Sequence, residues 1–525
     1  LNPNVAARLA ERAERHPERR AIVQGSGRRA SRVTFGELAE RVDALAARLR
    51  ARGIAPGDRV LIFVPMSADL YVSLLACFQV GAVAAFVDAW AGRARLDAAV
   101  RAAALRAFLG TPRAQLLRLG SRELRRVALH WLPGRGVLGV ERWGAPGASA
   151  PAERLAEDAP ALVTWTTGST GRPRAAVRSH GFLWAQHRVL AAHLGLHEHD
   201  LDMPTLPFFV LNNLACGVPS VIPDADPRRT AAFRPAAVFR QMEEHGVTTA
   251  SGSPAFWERL ARWCGSSGNR LPLRALWTGG APVLPPLARL LQRSVAGTAH
   301  VVYGSTEAEP ISGIPVPQML ALLDGAEAAE GGVCVGAPVA GIRLRIVRPH
   351  EGPIRLGAAG WAEWETEPGD TGEVVVAGTH VLGGYLHDPD AERALKIRDG
   401  ACVWHRTGDA ARLDAAGRLW LMGRVAERVR RDGRNWWSGA VEARAVEVEG
   451  VAHAAYLRMP GEGRRDRAVL CVEAGSMPPD SGLEQRLRAA IAPAPVDELR
   501  ILRCIPRDPR HASKTDAAAL RRLLG

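Results

Sequence analysis

An α/β fold built on parallel sheets is what this sequence predicts, and three observations carry the expectation. Short apolar runs at Ala21–Val23, Arg59–Val64, Ala82–Val87 and Ala161–Trp165 recur between helical patterns, the alternation that builds parallel sheets. At 525 residues the chain is too long for one compact core, so two or more domains are expected. Its 47% hydrophobic and 23% charged residues are ordinary for a globular protein, which excludes a fibrous or disordered chain.

Taken in order, Ala21–Val23 reads as a strand. Thr34 and Glu37 form a capping box that starts a helix with Leu38, Val42, Leu45, Ala46 and Leu49 on one face. Pro56-Gly57-Asp58 turns into the strand Arg59–Val64. The apolar run Leu70–Val87 nears membrane-spanning length, but Ser73, Gln79 and Gly81 interrupt it and Asp69 and Asp88 bracket it. It reads as a buried helix breaking at Gly81 into a buried strand, with a further helix over Leu96–Leu105. Arg113–Asp158, rich in Arg, Gly and Pro, reads as a variable excursion.

The strand Ala161–Trp165 then empties into Thr166, Thr167, Gly168, Ser169, Thr170 and Gly171, all hydroxylic or glycine. Such a loop can turn its N–H groups and hydroxyls toward one anion, and Arg172 and Arg174 add charge suited to phosphate oxygens. The P-loop pattern G-x-x-x-x-G-K-[ST] is absent, and a plain Ser/Thr/Gly surface loop is the competing reading. Downstream, His180-Gly181 leads into a helix, and Met203–Phe209 reads as a Pro-punctuated apolar loop. Gly217–Asp224 contains a strand, Val247–Ala250 is another, and Gly252–Ala255 opens a helix. Leu276–Thr278 is a strand ending at Gly279, Gly280, Ala281 and Pro282, and His300–Glu307 ends in Tyr303, Gly304, Ser305, Thr306 and Glu307. Gly336–Val339 and Gly372–Tyr385 read as a small β-rich region. Residues from about 425 to 525 alternate strands, at Ala454–Leu457 and Ala468–Val472, with helices.

The formal charge is +14 and the pI about 10.5, yet the arginines are spread along the chain with only short pairs such as Arg430-Arg431. Diffuse charge of this kind fits anionic small-molecule substrates better than nucleic acid, and no nucleic-acid partner is expected. Seven scattered cysteines without a C-x-x-C pair argue against a zinc site or a disulfide framework. With no signal pattern at Leu1–Ala10, a cytoplasmic protein is expected. Of 68 basic residues 66 are arginine, leaving Lys396 and Lys514 as the two lysines. A lysine kept in so arginine-rich a chain is a candidate for chemistry that a guanidinium cannot supply, against accidental survival of one of the two.

The loop at Thr166–Arg174 resembles the phosphate-binding signature of the adenylate-forming superfamily of acyl-CoA synthetases, peptide-synthetase adenylation domains and luciferases. That signature commonly reads T-S-G-T-T-G-x-P-K-G, so Arg174 and Ala175 stand where lysine and glycine are usual. Tyr303–Glu307 resembles the family's Y-G-x-T-E motif, and Gly280–Pro282 its adenine-pocket stretch. The resemblance covers nearly the whole chain. It implies a large N-terminal domain of stacked α/β sheets with a small β-rich subdomain, over 1–424, and a small mobile α+β C-terminal lid, over 425–525.

It also implies ATP and Mg²⁺ as cofactors. Tyr303 would offer an aromatic face to the purine, Thr306 a hydroxyl to phosphate, and Glu307 a hard oxygen to Mg²⁺. Asp409 would accept the ribose hydroxyls, Arg424 would hold ribose or phosphate, and Glu427 would occupy the hinge slot before the lid. Lys514 falls on the family's catalytic lysine, able to reach both the substrate carboxylate and the α-phosphate. The family's usual aromatic-histidine pair is replaced by Val210-Leu211-Asn212-Asn213.

Met203–Pro223, Gly252–Ala255 and Arg510–Lys514 look most like the β-lactone synthetases of bacterial olefin and β-lactone natural-product pathways. The implied reaction activates a long-chain 2-alkyl-3-hydroxy acid, whose own hydroxyl then expels AMP. Asn435–Ala440 replaces the phrase that borders the thiol route in ligases, and Ser513 replaces the usual glycine before the lysine. A fatty acyl-CoA ligase using CoA is the alternative, as is a non-catalytic nucleotide-binding homologue. His511 is a candidate for the proton transfer, against an ordinary packed or surface histidine. Peripheral association with a membrane or with pathway enzymes is implied by the resemblance alone.

Overall fold

In the computed structural model, helices fill the space between two large sheets. The structure describes residues 2–87, 92–133, 141–143, 151–167, 173–226, 232–325, 328, 330–461, 466–475, 482–508 and 513–525.

An eight-stranded sheet runs in the order Ala308–Pro315, Thr298–Ser305, Ala275–Gly279, Thr249–Gly252, Asp202–Pro204, Ser220–Ile222, Arg20–Gln24, Ser31–Thr34. Its interior pairs are parallel, and an antiparallel pair closes each edge. A seven-stranded sheet runs Glu141–Trp143, Leu129–Pro133, Ala107–Gly110, Arg59–Phe63, Val83–Phe86, Pro160–Thr167, Pro173–Ser179, parallel except for its last pair. Between the two lies the helix Ala68–Gln79, in which every residue except Asp69 is buried. A helix apolar all round belongs in a core rather than on a surface. Its neighbours include Val60, Ile62 and Ala84 of one sheet and Ile22 and Ile222 of the other. The Leu70–Val87 run is thus a buried helix and strand, as its interruptions predict. Among the described residues no helix is long and apolar enough to cross a membrane.

The capping box at Thr34 and Glu37 is present in both directions, and the helix it starts, Phe35–Ala51, buries Leu38, Val42, Leu45, Ala46 and Leu49. Met203–Phe209 is not a loop. It contains the end of strand Asp202–Pro204 and the start of helix Pro207–Cys216, because proline in a first helical turn lacks only an N–H that had no partner there. The excursion after Arg113 adds strands Leu129–Pro133 and Glu141–Trp143 to the sheet edge.

A third, antiparallel sheet is the β-rich region: Val333–Gly336, Leu419–Arg424, Cys402–Leu413, Gly372–Ala377 and Arg343–Val347, with Lys396–Asp399 paired to Cys402–Leu413. The smaller C-terminal part holds the ribbon Val429–Arg431/Arg434–Trp436, the sheet Val451–Pro460, Asp466–Ala474, Glu498–Leu502, and helices Ser438–Ala445, Leu483–Ile491 and Ala517–Leu524.

In that part the Glu442 Oε1 accepts the Tyr456 N–H at 2.9 Å, and burial pushes its carboxyl up to about 8. The folded chain holds this proton more tightly than the unfolded chain does. The stabilisation is present below the ordinary carboxyl range and is lost as pH rises through about 8. Glu442→Gln keeps the acceptor oxygen without the charge. It is expected to raise Tm relative to the native chain at alkaline pH and not at mildly acidic pH, read by thermal melts at both.

Candidate active site

The strands Thr298–Ser305 and Ala308–Pro315 form a hairpin whose two-residue tip is Thr306-Glu307. A Cβ on Gly304 would meet the Ala308 carbonyl oxygen at 2.9 Å, so this close crossing requires glycine. The tip is held from two sides. Arg178, buried on strand Pro173–Ser179, donates through Nη2 to the Thr306 carbonyl at 2.7 Å and through Nη1 to Thr164 Oγ1 at 2.9 Å. From the β-rich region the Leu382 N–H donates to the Glu307 carbonyl at 2.7 Å, and the Tyr385 hydroxyl donates to Glu307 Oε1 at 3.2 Å. The Glu307 N–H donates to Ser305 Oγ at 3.3 Å.

On the first strand of the hairpin, Tyr303 donates its hydroxyl to Asp409 Oδ2 at 2.9 Å. Arg424, paired opposite Asp409, places Nε 3.1 Å from Asp409 Oδ1 and donates through Nη1 to the Thr407 carbonyl at 3.1 Å. The carboxylate raises the affinity of that guanidinium for its proton, and burial raises the Tyr303 phenol far above its usual range. Below Asp409 the chain is anchored by a buried ion pair. Arg406 reaches both Glu373 oxygens, Nη2–Oε2 at 2.6 Å, and also donates to the His350 carbonyl at 2.7 Å.

Lys514 comes to the same region from the far end of the chain. Its charge, with that of Arg178, acts on Glu309, whose carboxyl burial pushes up to about 7. Its backbone is fixed by an Asp508 N–H bond to the Lys514 carbonyl at 2.8 Å and by the Arg507/Thr515 bridge.

Gly280, at φ +82, turns the chain at the end of strand Ala275–Gly279, followed by Ala281 and Pro282. Gly279 pairs with Val302, which sets this turn beside Tyr303. The strand before the hydroxylic loop runs to Thr167, two residues further than its apolar run, because β-branched threonines suit a strand and Thr166 pairs with Arg174. Arg174 therefore lies on a strand, where its charge opposes the rise that burial gives the Tyr385 phenol and adds to the fall that burial gives the His405 imidazole. Gly168, Ser169, Thr170, Gly171 and Arg172 lie outside the described residues, as do the side chains of Thr166 and Thr167 and all of His511. Glu427 is ion-paired to Arg521 of the last helix. Asn435, Trp436, Trp437 and Ala440 line a cleft of about 680 Å³ that includes none of Tyr303, Glu307, Asp409 or Lys514.

Arg178, Glu309, Tyr385 and His405 were not singled out by sequence. Each is an ordinary residue in its own segment, and a charged or aromatic side chain two to four residues from a motif carries no local mark. Lys396 did carry one, its rarity.

Among the described residues no cluster of three or more His, Cys, Asp or Glu could hold a metal by itself. Glu307 has one oxygen bonded to Tyr385, and among the described residues no hydrogen bond or ion pair falls on its Oε2, a donor set that fits Mg²⁺ carried in on phosphates rather than a resident ion.

Comparison with known proteins fits this arrangement. Residues 9–386 match the family described as AMP-binding enzyme. The olefin beta-lactone synthetase of Stenotrophomonas maltophilia (strain K279a) is 33% identical, over 97% of this chain and 96% of its own. The feruloyl-CoA synthase of an Amycolatopsis species is 30% identical, over 94% and 93%. Among solved structures, ATP-bound MatB from Rhodopseudomonas palustris matches with a TM-score of 0.80 over 100% of this chain and 99% of that one. At 21% identity that likeness speaks to the fold alone.

Proposed function

The chain belongs to the AMP-binding enzyme family, whose members form acyl-adenylates, and from that premise we propose that it converts a long-chain, 2-alkylated 3-hydroxy acid to a β-lactone. Acid activation is supported by the Glu307 hairpin, which Tyr303 joins to the Asp409–Arg424 pair, and the lactone product by the likeness to an olefin beta-lactone synthetase over 97% of this chain.

The substrate carboxylate oxygen attacks the α-phosphorus of ATP, the bond to the β-phosphate oxygen breaks, and pyrophosphate leaves. Lys514 offsets the negative charge gathering between carboxylate and α-phosphate. Asp409 accepts the ribose hydroxyls, with Tyr303 and Arg424 holding its carboxylate in place, and Tyr303 also offers its face to the purine. Thr166–Gly171 and Arg174 receive the departing phosphates, Gly280–Pro282 line the adenine, and Thr306 and Ser305 complete the rim. Glu307 would hold Mg²⁺ arriving with the nucleotide, which would supply neutralisation of charge on the transferred group.

In the second step the substrate's own 3-hydroxyl oxygen attacks the acyl carbon, loses its proton, and AMP departs. Full-length likeness to an olefin beta-lactone synthetase supports this step. A second reading, an acyl-CoA ligase, is supported by the likeness to feruloyl-CoA synthase. We further take 1–424 as the AMP-binding domain and 425–525 as a lid delivering Lys514.

The test is product analysis with ATP, Mg²⁺ and a long-chain 2-alkyl-3-hydroxy acid, with and without CoA. β-Lactone and AMP are expected without CoA. A thioester formed only with CoA, and no lactone, overturns the lactone reading in favour of the ligase.

A further inference from the structure

The mechanism above uses one of the chain's two lysines. The other, Lys396, opens the strand Lys396–Asp399, pairs opposite His405, and is only 7% exposed. Its ammonium donates to the Leu382 carbonyl and lies 5.3 Å from the centroid of the Tyr385 ring. Both contacts lead to the same residue. The Leu382 N–H donates to the Glu307 carbonyl at 2.7 Å, and the Tyr385 hydroxyl donates to Glu307 Oε1 at 3.2 Å. The main chain and the side chain of Glu307 are thus each held by a residue that Lys396 touches.

We infer that Lys396 is a positioning residue for Glu307, tying Leu382 and Tyr385 together so that the carboxylate keeps one oxygen on Tyr385 and the other available to a nucleotide-borne divalent cation. This rests on the reading of Glu307 as that cation's ligand. Groups that hold a metal ligand from behind commonly govern metal affinity about tenfold or more.

Composition and space point the same way. A buried ammonium is a costly group, and the charges of Glu307 and Glu392 offset part of that cost here. In a chain that uses arginine almost everywhere else, the compact ammonium at this position fits between a carbonyl and a ring face. An arginine would bring five donors on a rigid plane to a buried place where the ammonium needs one carbonyl and one ring face. If the lysine served only to fill space, a methionine would do as well, and without the desolvation cost.

The experiment measures Mn²⁺ binding by its EPR signal in the presence of α,β-methylene-ATP, alongside the Mg²⁺ concentration for half-maximal ATP–pyrophosphate exchange and Tm. It compares the native chain with Lys396→Met, Lys396→Arg, Tyr385→Phe and Glu307→Gln. Lys396→Met is expected to weaken Mn²⁺ binding about tenfold and to raise the Mg²⁺ requirement in step, and Lys396→Arg is not expected to restore either. Tyr385→Phe, which removes one hydroxyl, is expected to shift both in the same direction and keeps the test open if Lys396→Met does not fold. Native Mn²⁺ affinity in Lys396→Met, or in Tyr385→Phe if the former does not fold, overturns the inference. Native affinity in Glu307→Gln instead overturns the ligand assignment beneath it.

Discussion

Lys514→Ala is expected to lower ATP–pyrophosphate exchange by about 10²–10³-fold with Tm unchanged, the loss that follows removal of one preorganised charge-stabilising group. The side chain can go without harm to the fold because its backbone is held independently, by the Asp508 N–H bond and the Arg507/Thr515 bridge. Lys514→Arg is expected to recover little, since charge alone is not what the position supplies. A compact ammonium on a flexible stem can follow negative charge as it moves from carboxylate to phosphate, whereas a guanidinium is a rigid plane. Exchange within threefold of native in Lys514→Ala would remove this lysine from the chemistry.

The second large effect is on stability. Glu373→Ala is expected to cost about 3–5 kcal/mol, because it leaves the Arg406 guanidinium charged and buried without its partner. Arg406 is 7% and Glu373 2% exposed, so solvent screens the pair little. Glu373 also accepts the Gly408 N–H at 3.3 Å, and Thr407 Oγ1 donates to the Val374 carbonyl at 2.9 Å and accepts the Asp409 N–H at 3.0 Å. The stretch Arg406–Asp409 is therefore stitched to strand Gly372–Ala377. Urea unfolding should show the lost stability, and the folded fraction should show a raised KM for ATP as Asp409 loosens. A variant as stable as the native chain would mean that the His350 and Gly352 carbonyls, which Arg406 already reaches, suffice for the guanidinium.

Where sequence and structure differ, the reason is physical in each case. The Met203–Phe209 segment reads as a loop because of Pro204 and Pro207, yet the second proline sits in a helix's first turn, where it costs nothing. Thr166 and Thr167 read as loop because hydroxyls suit an anion nest, but pairing with Arg174 and Pro173 draws them into the sheet. The capping box at Thr34 and the break at Gly81 needed no such revision, since cap chemistry and apolar periodicity act over a few residues.

Short-range order is what this sequence determined by itself: the alternation of strands and helices, the turns at glycine, the order of the motifs, and the oddity of two lysines among 66 arginines. Tertiary structure alone decided which side chains meet. Arg178 from one sheet edge and Leu382 and Tyr385 from the β-rich region reach a single hairpin tip across intervals of more than 70 residues, and the charge of Lys514, from the C-terminal part, acts on Glu309 just beyond it. The same packing set the proton affinities, since burial raises Glu309 and lowers Lys396, each to about 7. Burial is a property of everything that surrounds a group, and no local window of sequence contains it.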